Sequence, residues 1–255
     1  MDKLATIRKD ALEGVEYEVD EYGNETGIFY DQNGNRIKPW HSLIYETLGG
    51  FPPPGEWIAI DCGANIGELT QSFLKQGGLV YAFEPNKAAY EYLHKRAVNL
   101  PQVKCYNKAV SDKSGTMKLY MHKKLKGVEY RHRKEDEQTF LDHVNFSQGC
   151  SLKFDKRNVD EDHYQEVECI RLCSFIQKIM NDPTLPDIFL LKIDVEGAES
   201  QVLSCIEFFE NTKLILIEIV VDDNFNNNDD VVSKLKSMGF THIKNTSKNN
   251  QLWSR

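Results

Sequence analysis

The chain has 255 residues, a length that fits one domain of ordinary size with a small appendage and can bury a substantial core. Its 31 Lys and Arg residues against 39 Asp and Glu residues give a net charge of −8, so the surface as a whole repels polyanions, and a nucleic-acid partner is not expected. No apolar run approaches the roughly 18 residues of a membrane helix, and the N-terminus lacks the apolar centre of a signal peptide. Six cysteines are scattered without metal-ligand spacing, and several of them lie in apolar strand or helix patterns where free thiols are usual. These features predict a cytoplasmic protein that acts on small molecules.

Residues 1–55 are predicted to form a small N-terminal extension or cap. They are polar, and "FYDQNGNRIK" carries the turn signal Asn33-Gly34 between two short candidate strands. The stretch "GGFPPPGE" then interrupts the chain before the first strongly apolar run. We take it as the entrance to the main domain, residues 56–255.

Strand and helix patterns alternate along the main domain, which favours a parallel sheet covered by helices on both faces. The predicted strands are "WIAIDCG", "LVYAFEP", "VKCYNKAV", "GTMKLYM", "VECIRL", "DIFLLKIDV", "KLILIEIVV" and the terminal pair "THIK" and "QLWS". The longer predicted helices are "NIGELTQSFLKQGG", "NKAAYEYLHKRAVNL" and "AESQVLSCIEFFEN". Residues 122–166 are charged, aperiodic and longer than an ordinary loop, so they are predicted to be either a substrate loop or a small insertion.

The strand-to-helix turn in "AIDCGANIGEL" brings an acid and two glycines together. Asp61, Gly63 and Gly67 lie in this turn, and Glu84 ends the next strand, 23 positions (84 − 61) after Asp61. Small residues let the backbone approach a ligand, and the second acid can accept hydrogen bonds from both hydroxyls of a ribose. Because Asp61 would repel a pyrophosphate and suits a cationic, amino-acid-bearing ligand, the pattern favours S-adenosylmethionine over NAD. A glycine turn that only permits tight packing is the alternative interpretation.

Four motifs resemble, in their order, those of the FkbM-type methyltransferases within the class I S-adenosylmethionine-dependent superfamily. They are "IDCGANIGELT", "YAFEPN", "NKAVSDKSG" and "LLKIDVEGAESQVL", the last followed by "LILIEI". The resemblance covers residues 57–220. It implies an α/β, Rossmann-like fold with a seven-stranded, mostly parallel sheet whose last strand is antiparallel. The chain departs from the family pattern at Cys62, where an apolar residue is more usual, and in the run Pro52–Pro54.

The resemblance also implies which residues hold S-adenosylmethionine. The turn at the methionine end of the cofactor would contain Asp61, Gly63, Ala64, Asn65 and Gly67. Glu84 would hold the ribose, with Pro85 and Asn86 beside it. The adenine would be flanked by Ala109, Val110, Ser111 and Asp112. Asp194 is expected beside the methyl donor.

Further carboxylates stand at the carboxyl ends of the predicted strands, where open α/β sheets bind their ligands. Asp194 and Glu196 are the leading candidates for taking the proton of an acceptor hydroxyl, with Glu218 as a third acid. Glu199 is predicted chiefly to offset unpaired N–H groups at a helix start. Asp194, Glu196 and Glu218 could also hold Mg²⁺ or Ca²⁺ together. No Asp-x-Asp or calcium-loop spacing accompanies them, so a divalent metal is not favoured. His163 would act as a general base only if residues 122–166 fold over the cleft.

The predicted function is an S-adenosylmethionine-dependent O-methyltransferase acting on a hydroxyl of a sugar, a glycan or a related small metabolite. The acidic cleft supplies a base, and aromatic residues such as Trp40, Tyr45, Tyr130 and Tyr164 could stack on sugar faces. An RNA ribose 2′-O-methyltransferase is the first alternative, supported by the basic stretch "HKKLKGVEYRHRK" and opposed by the net charge. A non-catalytic S-adenosylmethionine-binding module is the second, which the intact acids and glycines oppose. No pattern indicates an oligomeric state.

Overall fold

The computed structural model of the chain describes most of the main domain in full and several strands by their backbone. Side chains are described for residues 49–132, 135–204, 229–243, 245 and 251–255, and the backbone alone for 6–9, 16–19, 25–30, 36–37, 214–218, 227–228, 244 and 250. The chain divides into two compact units, residues 1–51 with 246–248, and residues 52–245 with 249–255.

The first unit contains a four-stranded antiparallel sheet. Its strands are β1 (Thr6–Lys9), β2 (Glu16–Val19), β3 (Glu25–Tyr30) and β4 (Arg36–Ile37). They pair in chain order, and β3 and β4 form the two strands that flank the predicted Asn33-Gly34 turn. The turn itself, Trp40 and Tyr45 lie outside the described residues.

The second unit alternates strands and helices along the chain. In order, its elements are β5 (Ile58–Cys62), α1 (Glu68–Lys75), β6 (Leu79–Phe83), α2 (Lys87–Ala97), β7 (Val103–Tyr106), β8 (Ala109–Ser111), β9 (Gly115–His122), α3 (Glu137–Asn145), β10 (Val159–Arg171), α4 (Leu172–Met180), β11 (Ile188–Ile193), α5 (Glu199–Val202), β12 (Leu214–Glu218), α6 (Asn227–Ser237), β13 (Thr241–Asn245) and β14 (Asn250–Ser254).

The main sheet of this unit has the strand order β13-β14-β12-β11-β5-β6-β7. Strands β12, β11, β5, β6 and β7 are mutually parallel, and β14 runs antiparallel to both of its neighbours. The mostly parallel α/β sheet is therefore confirmed. From β5 the chain proceeds to β6 and β7 on one side and later to β11 and β12 on the other, so the strand order reverses between β5 and β11. In open α/β sheets, ligands bind at this switch point, beyond the carboxyl ends of the strands.

The core lies against the two central strands. Every residue of β5 and β11 is buried, as expected for parallel strands covered on both faces, whose sequences are nearly continuous apolar runs. Helix α4 buries Leu172, Cys173, Ile176 and Ile179, which recur on one side of the helix, against this core. Each such large apolar side chain contributes about 1.5–3 kcal/mol by leaving water. This packing holds the carboxyl ends of β5 and β11 in fixed register.

Residues 122–166, predicted as a substrate loop or an insertion, form part of a second sheet with the order β8-β10-β9. Strand β10 pairs antiparallel with β9, with an irregular register between Val159 and Tyr164, and parallel with β8. Helix α3 lies between β9 and β10 in the chain and is capped by Asp136, whose carboxylate accepts a hydrogen bond from the Thr139 amide at 3.0 Å. The charged segment thus contains regular elements, and its residues Leu125 and Cys150 pack in a small apolar cluster with residues of β8, β9 and β10.

Four cysteines, Cys62, Cys105, Cys150 and Cys169, are free thiols. Cys173 is disulfide-bonded, so the prediction of free thiols is wrong for that residue. Scattered spacing could not reveal this bond, because disulfide partners are brought together by the fold and not by their separation in the chain. Among the helices of the described residues, none combines the length and the apolar character needed to cross a membrane.

Candidate functional site

Two turns meet at the switch point, one after β5 and one after β11. The Asp194 amide donates a hydrogen bond to the Cys62 carbonyl at 3.1 Å. Gly63 has a φ of +79°, and a Cβ atom at this position would lie 1.8 Å from the Asp194 carbonyl oxygen. Only glycine fits both the backbone conformation and the contact.

A buried ion cluster links the same two turns. The Lys192 ammonium lies 3.3 Å from Oδ1 of Asp61 and 3.3 Å from Oδ2 of Asp194, and it donates a hydrogen bond to the Gly63 carbonyl at 2.5 Å. Oδ2 of Asp61 accepts a hydrogen bond from the Thr70 hydroxyl at 2.6 Å. We call Asp61, Lys192 and Asp194 the charge triad. Burial disfavours the charged lysine, but the two carboxylates outweigh this cost and raise its pKa above the ordinary value.

Lys192 is a site residue that the sequence interpretation did not assign. The available signal was a single charged residue inside the apolar run of β11 (Ile188–Ile193), where an unpaired charge would be costly. Such a residue requires a partner of opposite charge, and β11 pairs with β5 so that Lys192 stands opposite Asp61. The pairing register therefore creates the triad.

Glu84, the predicted ribose ligand, joins the turn after β5 to the turn after β6. Its two carboxylate oxygens accept hydrogen bonds from the Asn65 amide at 2.8 Å and the Asn86 amide at 2.7 Å. Burial raises the pKa of Glu84 from its ordinary 4.5 to about 7, against the opposing effect of these two backbone hydrogen bonds. Each oxygen keeps a lone pair for a further donor, such as a ribose hydroxyl.

The raised pKa of Glu84 predicts a pH-dependent stability. The folded protein binds the proton of the Glu84 carboxyl group more tightly than the unfolded chain does. The stability that this proton contributes is therefore fully present below pH 4.5 and is lost as the pH rises through about 7. The free energy of unfolding of the wild-type protein should therefore fall by up to about 3 kcal/mol relative to Glu84→Gln between pH 5 and pH 8. Urea unfolding of both proteins across this range measures the difference. Parallel pH curves for the two proteins would contradict the assignment.

Further predicted cofactor residues lie after β6, at Asn86, and in and after β8, at residues 109–112. Asn86 caps α2, because its side-chain oxygen accepts hydrogen bonds from the amides of Ala88 and Ala89 at 3.0 and 3.2 Å. The stretch of Ala109, Val110 and Ser111 is buried in β8, and Asp112 is exposed and accepts a hydrogen bond from the Ser111 hydroxyl.

Asn107 links the turn after β7 to the turn after β6. Its side-chain amide donates hydrogen bonds to the carbonyls of Glu84 at 2.8 Å and Pro85 at 3.1 Å, just before β8 begins. Ala64 and Gly67 are buried in the turn after β5, where a Cβ on Gly67 would lie 2.5 Å from a Leu93 methyl group. The contacts thus join the turns after β5, β6, β7 and β11 in one site.

Glu196 and Glu199, which follow β11, have different surroundings. Glu196 has a left-handed backbone with a φ of +57°, its carboxylate pairs with the buried Lys156, and its carbonyl accepts a hydrogen bond from the Ser151 hydroxyl at 2.7 Å. The carboxylate of Glu199 accepts hydrogen bonds from the amides of Val195 and Gly197, both at 3.1 Å. Glu199 is the first residue of α5 and closes the turn that precedes this helix, and burial raises its pKa.

The other two predicted catalytic residues are not joined to the triad by described contacts. His163 lies in the irregular part of β10, and its electrostatic neighbours are His143 and Asp160. Glu218 is the last residue of β12 and pairs with Asn250, and its side chain lies outside the described residues. Both remain predictions. In the described part of the chain, no three His, Cys, Asp or Glu side chains converge as a metal site requires.

Residues 147–156, which we call the bridging segment, contact three of the cofactor turns. The Ser147 hydroxyl donates to the Asn65 side-chain oxygen at 3.3 Å, and the Asn86 amide group donates to the Cys150 sulfur at 3.6 Å. Ser151 and Lys156 hold Glu196 as described above. Among the described non-glycine residues, Asn65 and Glu196 are the two with positive φ, and both are held by this segment. Strained residues that the surroundings hold in place are typical of functional sites.

The site fits S-adenosylmethionine. Oδ1 of Asp61 is buried and, apart from its ion pair with Lys192, makes no hydrogen bond among the described residues. Together with Asp194 it gives the turn an acidic character that suits a cationic amino acid, and Glu84 stands where a ribose would follow. Asp61, Gly63, Asn65 and Asp194 would hold the methionine end.

A mostly parallel sheet with one antiparallel strand near its edge, a glycine turn at the switch point and an acid after the second strand are the features that the resemblance to class I methyltransferases implies. Residues 61–241 match the family described as the Methyltransferase FkbM domain. This match covers more than half of the chain, and the chain therefore belongs to the FkbM methyltransferase family.

The chain spans about three fifths of the length of the curated relative that it matches. "Methyltransferase 1" of Beauveria bassiana is 26% identical over 156 residues, which are 60% of this chain and 59% of that protein. The crystal structure of an FkbM methyltransferase from Methylobacillus flagellatus is 14% identical with a TM-score of 0.49, over 86% of this chain and 48% of the other. Aeropyrum pernix fibrillarin, solved with bound S-adenosyl-L-methionine, is 11% identical with a TM-score of 0.43 over the whole of both chains.

Proposed function

We propose that the protein transfers the methyl group of S-adenosylmethionine to a hydroxyl of a sugar, a glycan or a related small metabolite. The observation that carries the proposal is the charge triad at the switch point of the sheet, in which Asp61 and Lys192 are buried and Asp194 reaches the solvent side. When bound, the cofactor supplies an electrophilic methyl group. The protein must then orient an acceptor oxygen toward it and accept the hydroxyl proton.

Asp194 is the best candidate for the proton acceptor. Its side chain is 31% exposed, whereas that of Asp61 in the same triad is fully buried. Asp194 can therefore meet an acceptor from the solvent side while the triad holds its carboxylate. Glu196 is a poorer candidate, because it contacts Ser151 and Lys156 of the bridging segment, whereas Asp194 contacts the glycine turn after β5.

An aromatic group next to the Glu196 turn supports a sugar acceptor. The Tyr120 ring lies 6.2 Å from that of Phe154 and 6.0 Å from that of Tyr164, and the last two residues are 60% and 41% exposed. The backbones of Tyr120 and Ser151 exchange hydrogen bonds of 2.7 and 3.0 Å, and the Ser151 hydroxyl binds the Glu196 carbonyl. The Lys118 ammonium lies over one face of the Tyr164 ring, 3.9 Å from its centre, and the aromatic surface that stays exposed suits the apolar face of a sugar ring.

The basic residues that favoured an RNA acceptor are partly neutralised within the protein. Lys126 pairs with Asp160 at 3.2 Å, and His132 pairs with Glu91 at 2.5 Å. Phosphate binding depends on free positive charge, so these pairs favour an uncharged acceptor.

A screen of defined saccharides with S-adenosylmethionine, read by mass spectrometry, tests the proposal. We expect a mass increase of one methyl group on a saccharide and an equal amount of S-adenosylhomocysteine. Activity on RNA that falls steeply with salt would instead indicate the ribose methyltransferase. Tight cofactor binding with no product in any arm would indicate a non-catalytic module.

The Tyr164→Ala variant should raise KM for the saccharide about tenfold and change kcat by less than about twofold, because loss of one stacking face costs on the order of 1 kcal/mol or slightly more. Initial rates over a range of saccharide concentrations measure both constants. Met180→Ala is a matched control, since Met180 is 39% exposed at the end of α4. An equal KM for the two variants would remove Tyr164 from the acceptor site.

A further inference from the structure

We propose that Lys192 is a positioning residue that keeps Asp61 and Asp194 ionised together, so that the triad carries one net negative charge and favours the sulfonium donor over the thioether product. The proposal rests on the proposed S-adenosylmethionine-dependent function. Its support is geometric, because one buried ammonium lies 3.3 Å from a carboxylate oxygen of each acid.

The ammonium is needed because the two acids share one small space. Asp61 is fully buried, and both carboxylates approach the same nitrogen. Two carboxylates in such a place do not both stay ionised unless a positive charge lies between them. Without Lys192, one of them would take up a proton near neutral pH.

The surrounding ionisable groups do not replace this charge. Four further ionisable groups lie within electrostatic range of one or two members of the triad. They are the buried acids Glu84 and Glu199 and the thiols of Cys62 and Cys105. Burial raises the pKa of both thiols, so they are neutral at physiological pH. None of these four groups can carry a positive charge. Within the described residues, Lys192 is thus the cation of the triad.

The charges of donor and product make this role measurable. S-adenosylmethionine carries an ammonium, a carboxylate and a sulfonium, and S-adenosylhomocysteine differs from it by lacking the methyl group and the sulfonium charge. A net negative triad therefore binds the donor more tightly than the product. Glu84 is predicted to bind the ribose, which both ligands share, so its titration should change both dissociation constants by similar factors. Glu84 is also present in the wild-type protein, and the difference between the wild-type and variant profiles of the ratio of product Kd to donor Kd therefore reports on the triad.

Calorimetric titration with each ligand between pH 5.5 and pH 7.5 tests the proposal. In the wild-type protein and in Lys192→Arg, the ratio should change less than about threefold over this range. In Lys192→Met it should rise roughly tenfold, because an acid that is protonated at pH 5.5 becomes ionised at pH 7.5 and adds a second negative charge near the sulfonium. The double variant Lys192→Met/Asp194→Asn removes one charge of each sign and should return the ratio to a flat profile.

Circular dichroism first establishes that each variant is folded. If Lys192→Met does not fold, Asp194→Asn alone decides the question, since its triad is neutral and its ratio should be about tenfold below the wild-type value. A flat ratio in a folded Lys192→Met that binds both ligands would overturn the role of Lys192 and leave the proposed function intact. Failure of the wild-type protein to bind either ligand would overturn both.

Discussion

The Gly63→Ala variant should lose measurable S-adenosylmethionine binding and about 3 kcal/mol or more of its free energy of unfolding. An added Cβ would stand 1.8 Å from the Asp194 carbonyl oxygen and 2.9 Å from its carbon, and neither backbone atom can rotate away. The turns after β5 and β11 must separate, which disrupts the triad that spans them. Overpacking costs typically 1–3 kcal/mol, and a left-handed alanine adds about 1–2 kcal/mol.

Gly55→Ala is the matched control for this prediction. Gly55 has nearly the same backbone conformation, with a φ of +82°, but a Cβ there would have no atom within 4 Å. This variant should lose only about 1–2 kcal/mol and bind the cofactor like the wild-type protein. Chemical unfolding and calorimetry on both variants separate backbone strain from the close approach. If the two variants behaved alike, contact between the turns would not be essential to the site.

Local sequence signals were sufficient to predict the central strands and the glycine turn that follows β5. Strand β11 (Ile188–Ile193) lies in the predicted strand "DIFLLKIDV", because a strand buried on both faces has a continuous apolar sequence. The predicted helix "NKAAYEYLHKRAVNL" is α2, whose start is fixed by a capping side chain within the motif itself. The glycine turn after β5 is equally local, since residues 61–67 contain both the acid and the glycines.

Contacts between distant segments could not be predicted in this way. Lys192 lies next to Asp61 because of the pairing register between β11 and β5, and no sequence pattern within either strand predicts that register. The bridging segment (147–156) contacts Asn65 across 82 positions and Asn86 across 64 positions. Its sequence has no periodicity that would indicate a partner. The charged, aperiodic stretch 122–166 that contains it therefore predicts either a substrate loop or a small insertion, and no local signal shows that it supports three turns of the site.

The Asp194→Asn variant should remain folded and lose on the order of 10²–10⁴ of kcat, because a neutral amide cannot accept the acceptor's proton. The amide has nearly the same shape, and the Asp194 backbone bond to Cys62 does not involve the side chain. Turnover should be measured at saturating S-adenosylmethionine, because loss of a triad charge also weakens binding of the donor. Circular dichroism and the unfolding midpoint establish that the fold is retained.

Glu196→Gln distinguishes the two acids after β11. Glu196 pairs with Lys156, so its loss should loosen the bridging segment next to the aromatic group, raise the saccharide KM several-fold and leave kcat within about threefold of the wild-type value. Asp194→Asn should show the opposite division, with a large loss in kcat and a small change in the saccharide KM. Near-normal turnover of Asp194→Asn at pH 7, together with a large loss of kcat in Glu196→Gln, would identify Glu196 as the proton acceptor in place of Asp194.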